Sequence, residues 1–190
     1  NGMNIIASLI PTEPEKAETV VEDLAELFRA SLQETSSFVT IQQEIDLCRR
    51  YLNIESLRLG DRLQVEWSID EKLLSVPVPL LLIQPLVENA VYHGMQMIPE
   101  GGRLEIPVQS INGDVGVRLS NPVPRTDQPE SADKKKRSAG EPRFPGNQIA
   151  IKNIRDRLGV IYGSKAYFKS ALSGRTFEVF MQFPPQPTTH

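Results

Sequence analysis

Residues 77–95 read Pro77-Val78-Pro79-Leu80-Leu81-Leu82-Ile83-Gln84-Pro85-Leu86-Val87-Glu88-Asn89-Ala90-Val91-Tyr92-His93-Gly94-Met95. From Leu80 to His93 the pattern is that of a strongly apolar helix, interrupted by Glu88, Asn89, Tyr92 and His93. Asn89 and His93 stand four residues apart, on adjacent turns of one face, with Glu88 next to them. An amide oxygen is a hard ligand suited to magnesium, an ion that keeps waters and bridges to substrate phosphates. A carboxylate at Glu88 is able to orient or deprotonate a water, or to hold the hydration shell of a metal. The plain alternative is the polar rim of a buried helix, with His93 favourably placed near the C-terminal end of the dipole. Spacing alone does not separate the two.

The pattern on either side sets the fold class. Met3 to Ile10, ended by Pro11, reads as the tail of a helix, and Pro14 to about Leu32 as a second one with its apolar stripe at Ala17, Val21, Leu24, Phe28 and Leu32. Thr40 with Gln43 forms a capping box for a third helix, striped by Ile41, Ile45, Cys48, Leu52 and Leu59 and stopped at Gly60-Asp61. Leu63 to Ile69 alternates as a half-buried strand. Beyond the quoted stretch, Arg103–Ile111 and Val115–Ser120 are strands joined by the tight-turn signal Asn112-Gly113-Asp114. Residues 121–147 are polar and aperiodic, rich in proline, with the run Lys134-Lys135-Lys136-Arg137. Such a length of loop is a functional lid or disordered, and the cationic run is either a grip on phosphates or a solvated loop. A helix over Ile149–Tyr162 and a hairpin, Ala166–Leu172 and Thr176–Phe183 around Ser173-Gly174, complete the chain.

Hairpins with segregated helices imply an α+β two-layer sandwich, preceded by a truncated helical hairpin, and exclude a doubly wound parallel sheet. The expected division is residues 1–38 for the helical part and 39–190 for the sandwich. In the helical part, Val20, Val21, Leu24, Phe28 and Leu32 form a strip suited to a dimer bundle or to domain packing. The 190 residues carry a net charge of −3, which disfavours nucleic acid and direct membrane contact. A single cysteine, Cys48, excludes an internal disulfide and reads as a small buried hydrophobe.

Pro77 to Met95 closely resembles the N box of the LytS-type sensor histidine kinases, members of the wider ATPase superfamily that includes gyrase, Hsp90 and MutL. Two further segments fit the same family: Glu44 to Leu63, with Tyr51-Leu52-Asn53-Ile54-Glu55 and Arg58-Leu59-Gly60-Asp61-Arg62-Leu63, and Lys152-Asn153-Ile154-Arg155-Asp156-Arg157-Leu158 before Tyr162-Gly163. The resemblance covers nearly the whole chain. It implies a Bergerat-type ATP site, with Asn89 as magnesium ligand and Glu88 and His93 close to the phosphates. It also implies autophosphorylation of a histidine in a His-Phe-Leu-Phe-Asn motif. Asn1 looks like the last residue of that motif, so the acceptor is expected before residue 1 and is neither His93 nor His190. A response regulator, a homodimer through the helical region, and a cytoplasmic position in an inner-membrane-anchored protein follow as expectations.

Two places depart from the family pattern. Ser120-Asn121-Pro122 stands where many relatives have an aspartate that accepts a hydrogen bond from the adenine amino group, and Asn121 keeps the acceptor oxygen without the charge. In the glycine-rich box, Gly146-Asn147-Gln148-Ile149-Ala150-Ile151 keeps only the first glycine. Such glycines let backbone N–H groups approach phosphates at a helix N-terminus. Either Gln148 and the start of the Ile149 helix bind phosphates, assisted by Lys152, Arg155 or Arg157, or the lid fails to close and the fold serves as a non-catalytic dimerisation or docking scaffold. For Lys152, Arg155 and Arg157 a solvated helix face is the bland reading.

Overall fold

The computed structural model describes residues 2–33, 37–124 and 145–187, with the side chains of 145–148 outside that description. Two helices, α1 (Gly2–Leu9) and α2 (Pro14–Ser31), form the expected hairpin. A short strand β1 (Phe38–Thr40) leads into α3 (Ile41–Leu59), and β2 (Leu63–Ile69) follows one helical turn later. Next come β3 (Pro77–Pro79), α4 (Gln84–His93), β4 (Gly102–Ile111) and β5 (Asp114–Pro122). The chain closes with α5 (Pro145–Tyr162), β6 (Tyr167–Ser173) and β7 (Thr176–Phe183).

Five strands make one sheet in the order β2-β4-β5-β7-β6. The β2–β4 pair is parallel and the other three are antiparallel. A parallel pair needs a crossover, and α4 provides it. Asn112 and Gly113, both at positive φ (52° and 89°), turn β4 back into β5 in the way the Asn-Gly signal requires. Leu104, Ile106 and Val108, Val115, Val117 and Leu119, and Phe177, Val179, Met181 and Phe183 are buried on one face, against Cys48 and Leu52 of α3, Leu86, Val87 and Val91 of α4, and Ile154, Leu158 and Tyr162 of α5. Glu66, Arg103, Glu105, Arg118, Lys169 and Glu178 are exposed on the sheet strands. The architecture is the two-layer α+β sandwich read from the pattern.

The capping box at Thr40 is present: the Thr40 hydroxyl accepts from the Gln43 amide, and the Gln43 side chain accepts from the Thr40 amide. Three boundaries differ from the sequence pattern. The strand β5 runs on through Asn121 and Pro122, and α5 begins at Pro145, four residues before Ile149. The third difference is larger, because α4 begins at Gln84 and not at Leu80. Leu80–Ile83 form a turn in which Leu81 takes φ 59°. A non-glycine residue in that region costs roughly 1–2 kcal/mol, so something must hold it. What holds it is Glu44. Its carboxylate, fully buried, accepts from the amides of Leu81 (2.5 Å), Leu82 (3.0 Å), Ile83 (2.8 Å) and Gln84 (3.4 Å). The unanticipated β1–β3 ladder, Phe38 opposite Pro79 and Thr40 opposite Pro77, brings the starts of α3 and α4 side by side.

In the helical part, Ala17, Val20 and Ala30 of α2 are buried, whereas Val21, Phe28 and Leu32 are exposed. Asp23, also buried, is paired with Arg50 of α3 at 2.8 Å. Val20 is thus packed within the chain, and the outer half of the expected strip is uncovered.

Replacing Glu44 by Gln puts an amide N–H₂ where donors converge. The expected result is a loss of about 2 kcal/mol, read as a lower denaturant midpoint at unchanged slope.

Candidate functional site

The helix α4 presents its polar residues at its C-terminal half. Glu88 is accessible at the surface and accepts a hydrogen bond from the Gln84 side chain at 2.5 Å. Desolvation beside α3 raises its pKa, and Glu55 adds like-charge repulsion. Asn89 is half-buried, and its Nδ2 is fully buried with no hydrogen-bond partner among the described residues. A buried amide left unsatisfied costs about 1–3 kcal/mol, so it marks a place where a polar ligand or water belongs. His93, one turn on, is half-buried, and desolvation lowers its pKa, so the imidazole is neutral at pH 7. Tyr92, largely exposed, meets the His93 ring edge-on at 4.8 Å between centroids.

Asn121 lies against the end of this helix. It is buried, and its Nδ2 donates to the Pro122 carbonyl at 2.9 Å. Gly94, which caps α4, is what allows the approach. A Cβ there would sit 2.5 Å from Asn121 Nδ2, 2.4 Å from the Ala90 carbonyl and 2.8 Å from the Pro122 carbonyl. His93, next to Gly94 in the chain, thus ends α4 where Asn121 meets it, with Asn89 one turn earlier on the helix.

The residues of α5 are placed less uniformly. Ile151, Ile154, Leu158 and Tyr162 face the core, while Ile149 is exposed and Ala150 half-buried. Lys152 is ion-paired with Asp156 at 2.6 Å on an exposed face. Arg155 lies over the Phe168 ring, 5.4 Å from its centroid. Arg157 is turned inward; desolvation lowers its pKa, against which the Glu44 and Tyr162 charges act. Gly146 and Gln148 belong to the first turn of α5, but their side chains, like Asn1, the Lys134–Arg137 run and His190, lie outside the described residues.

Two residues that matter for this geometry were missed as such in the sequence: Glu44 and Arg62. Glu44 had a visible signal, since it stands three after Ile41 and four before Cys48, inside the apolar stripe of α3. Arg62 had none beyond its motif. Its guanidinium donates to the Ile98 carbonyl at 2.9 Å and lies 3.5 Å from those of Met95 and Gln96, in the turn after α4. Cys48 is buried as expected, its pKa raised well above normal by desolvation and then by the Glu44 and Glu88 charges, which leaves the thiol inert.

Comparison with known proteins points the same way. The family model described as histidine kinase matches residues 1–63. The sensor histidine kinase YpdA of Escherichia coli (strain K12) is 29% identical over 189 residues, 99% of this chain and 32% of that protein. The sensor histidine kinase/phosphatase LytS of Staphylococcus aureus (strain MRSA252) is 30% identical over 192 residues, 98% of this chain and 32% of that protein. The chain is thus similar to sensor histidine kinases, LytS among them. It spans about a third of the length of these relatives. The fold agrees: the crystal structure of histidine kinase ThkA in complex with response regulator protein TrrA matches with a TM-score of 0.55 at 16% identity, covering 100% of this chain and 59% of that one.

Two outcomes are expected of this site. Gly94→Ala forces Asn121 and Pro122 away from α4 and lowers stability by about 1–3 kcal/mol, measured by chemical denaturation. In an NMR titration His93 has its midpoint below 6.5, its ordinary value. Because the unfolded chain then takes up the proton more readily, the His93 contribution to stability is complete above pH 6.5 and declines as the pH falls.

Proposed function

We propose that this chain is the Mg-ATP-binding catalytic region of a sensor histidine kinase, residues 39–190 forming the ATP-binding domain and residues 1–38 the end of the helical dimerisation and phosphoacceptor region. The observation that carries the reading is the buried Nδ2 of Asn89, left without a hydrogen-bond partner among the described residues, on the helix that also carries Glu88 and His93 and meets Asn121 at Gly94. An amide that rotates about its terminal bond presents either end, and its oxygen suits a hard cation. The fit is that of a metal held by one protein amide, waters and substrate phosphates.

Magnesium, when bound, supplies charge neutralisation for the transferring phosphoryl group. The chain does the rest by positioning. Asn89 ligates the metal. Glu88, with its raised pKa, holds a water or takes a proton. His93, neutral, hydrogen-bonds close to the phosphates. Asn121 has its N–H₂ end engaged with the Pro122 carbonyl, which keeps its oxygen available as the acceptor that the adenine amino group would need. The N-terminal turn of α5, with Gly146, Gln148, Ile149 and Ala150, offers backbone N–H groups to the phosphates, with Lys152, Arg155 and Arg157 as the nearby cations. The γ-phosphoryl group passes to a histidine preceding residue 1 and then to a response regulator, the kind of partner with which ThkA was crystallised. The exposed Val21, Phe28 and Leu32 favour a homodimer through the helical region, in a kinase anchored in the membrane with this part in the cytoplasm. Among the described residues no helix is long and apolar enough to cross a membrane.

A non-catalytic scaffold is the second reading, favoured by Gln148 at a position that is glycine in the family pattern. Calorimetric titration with a non-hydrolysable ATP analogue decides between them. The kinase reading expects micromolar binding that needs magnesium and weakens by at least about tenfold in Asn89→Ala. Failure to bind at millimolar nucleotide, in this chain and in a longer one carrying the acceptor, would favour the scaffold.

A further inference from the structure

The helix that carries Glu88, Asn89 and His93 is held at both ends by charged side chains from a single neighbouring segment. At its start, the buried Glu44 carboxylate collects the amides of residues 81–84. At its far end, the Arg62 guanidinium binds the Ile98 carbonyl and lies against those of Met95 and Gln96. Glu44 belongs to the first turns of α3 and Arg62 to the short helical turn that follows it after the break at Gly60 (φ 56°), so two consecutive elements of one chain segment present the two groups. The signs match the dipole of α4, an anion at the amide end and a cation on carbonyls just past the carboxyl end.

The attachment is specific in direction as well as in charge. The Arg62 backbone is itself pinned, because Gly101 passes so close that a Cβ there would lie 2.1 Å from the Arg62 carbonyl oxygen. The next residue, Leu63, opens β2 opposite Gly102 of β4. The turn after α4 is thus referred to the parallel strand pair, and the turn before it to α3. Between these two anchors α4 is ten residues long, so a rotation or slide at either end is delivered to Asn89 and His93 without intervening slack.

We propose that Glu44 and Arg62 are positioning residues for the nucleotide site, acting as a two-ended splint that fixes the axial position and rotation of α4. The proposal rests on the Mg-ATP reading for its functional consequence but not for its structural one. Neither group touches the substrate on this account. Both work through Asn89 and His93.

The test compares the unaltered chain with Arg62→Lys, Arg62→Gln and Glu44→Gln, each held well below its own melting temperature so that the fold is intact. Two signals are read: the Asn89 side-chain amide and His93 ring resonances without nucleotide, and the affinity for a magnesium-bound ATP analogue. The splint expects the resonances to move in Arg62→Gln and Glu44→Gln, with affinity falling on the order of ten- to a hundredfold, as when a supporting group behind a ligand is removed. It also expects Arg62→Lys, which keeps one donor for the Ile98 carbonyl, to recover part of both signals. Unmoved resonances with unchanged affinity in folded Arg62→Gln would overturn the proposal, whatever Glu44→Gln does to stability. Moved resonances in a protein that binds no nucleotide even unaltered would leave the splint standing and sink the ATP reading.

Discussion

Everything at the candidate site depends on a carboxylate that water does not reach. Burial alone would push Glu44 towards its neutral form, and desolvation is the larger influence on it. Four converging amides oppose that shift and give the oxygens the donors they lost on leaving water. The same bonds serve the other partner. The first amides of any helix have no intrahelical acceptor, and α4 begins deep in the core, where solvent cannot substitute. Glu44 satisfies those amides and the strained Leu81 together, so neither a straight Leu80–His93 helix nor a simple loop is the better solution. A helix starting at Leu80 would take these amides away from the carboxylate and leave it buried without donors.

This constraint propagates through the crossover. The strands β2 and β4 run parallel, and the only chain between them that spans the sheet is α4 with its flanking turns. Placing the start of α4 therefore places its end, and its end is where Gly94 meets Asn121 and Pro122. The strand β5 carries those two residues because it continues two positions past Ser120, pairing Asn121 with Phe177 and Pro122 with Thr176. The candidates on α4 and the candidate on β5 thus come from different elements, which meet at Gly94 in a contact that tolerates no Cβ.

The elements with a clean period were legible in the sequence. The α3 stripe, the alternation of β2 and the Asn112-Gly113 turn each express one local rule, and the structure agrees almost to the residue. What was not legible arises from pairing across long separations. Phe38–Thr40 is too short to show a period, and Pro77 and Pro79 argue against a strand, so the β1–β3 ladder appears only when the two segments meet. The start of α4 was misplaced because an apolar run looks the same in a helix and in a buried turn. Glu44 interrupts an apolar stripe and could have been questioned there, whereas the part played by Arg62 is made of backbone carbonyls that no sequence pattern reports. On α2 the strip Val21, Phe28 and Leu32 is left uncovered, as a face awaiting a partner should be, while Val20 is buried. Asp23 and not Val21 lies on the buried side, since Arg50 is there to pair with it.

The three cations of α5 are not equivalent as phosphate partners, and their present contacts rank them. An exposed Lys–Asp pair at i,i+4 is worth only about 0.3–0.5 kcal/mol, so Lys152 gives up little by leaving Asp156. Arg155 would surrender its position over Phe168, a contact worth about 0.5–1 kcal/mol at an exposed site. Arg157 would have to leave the field of Glu44, the carboxylate on which α4 depends. Of the two pairings the structure shows, the exposed one of Lys152 is the weaker, so on the Mg-ATP proposal Lys152 is the cation of α5 that turns towards a phosphate at least cost.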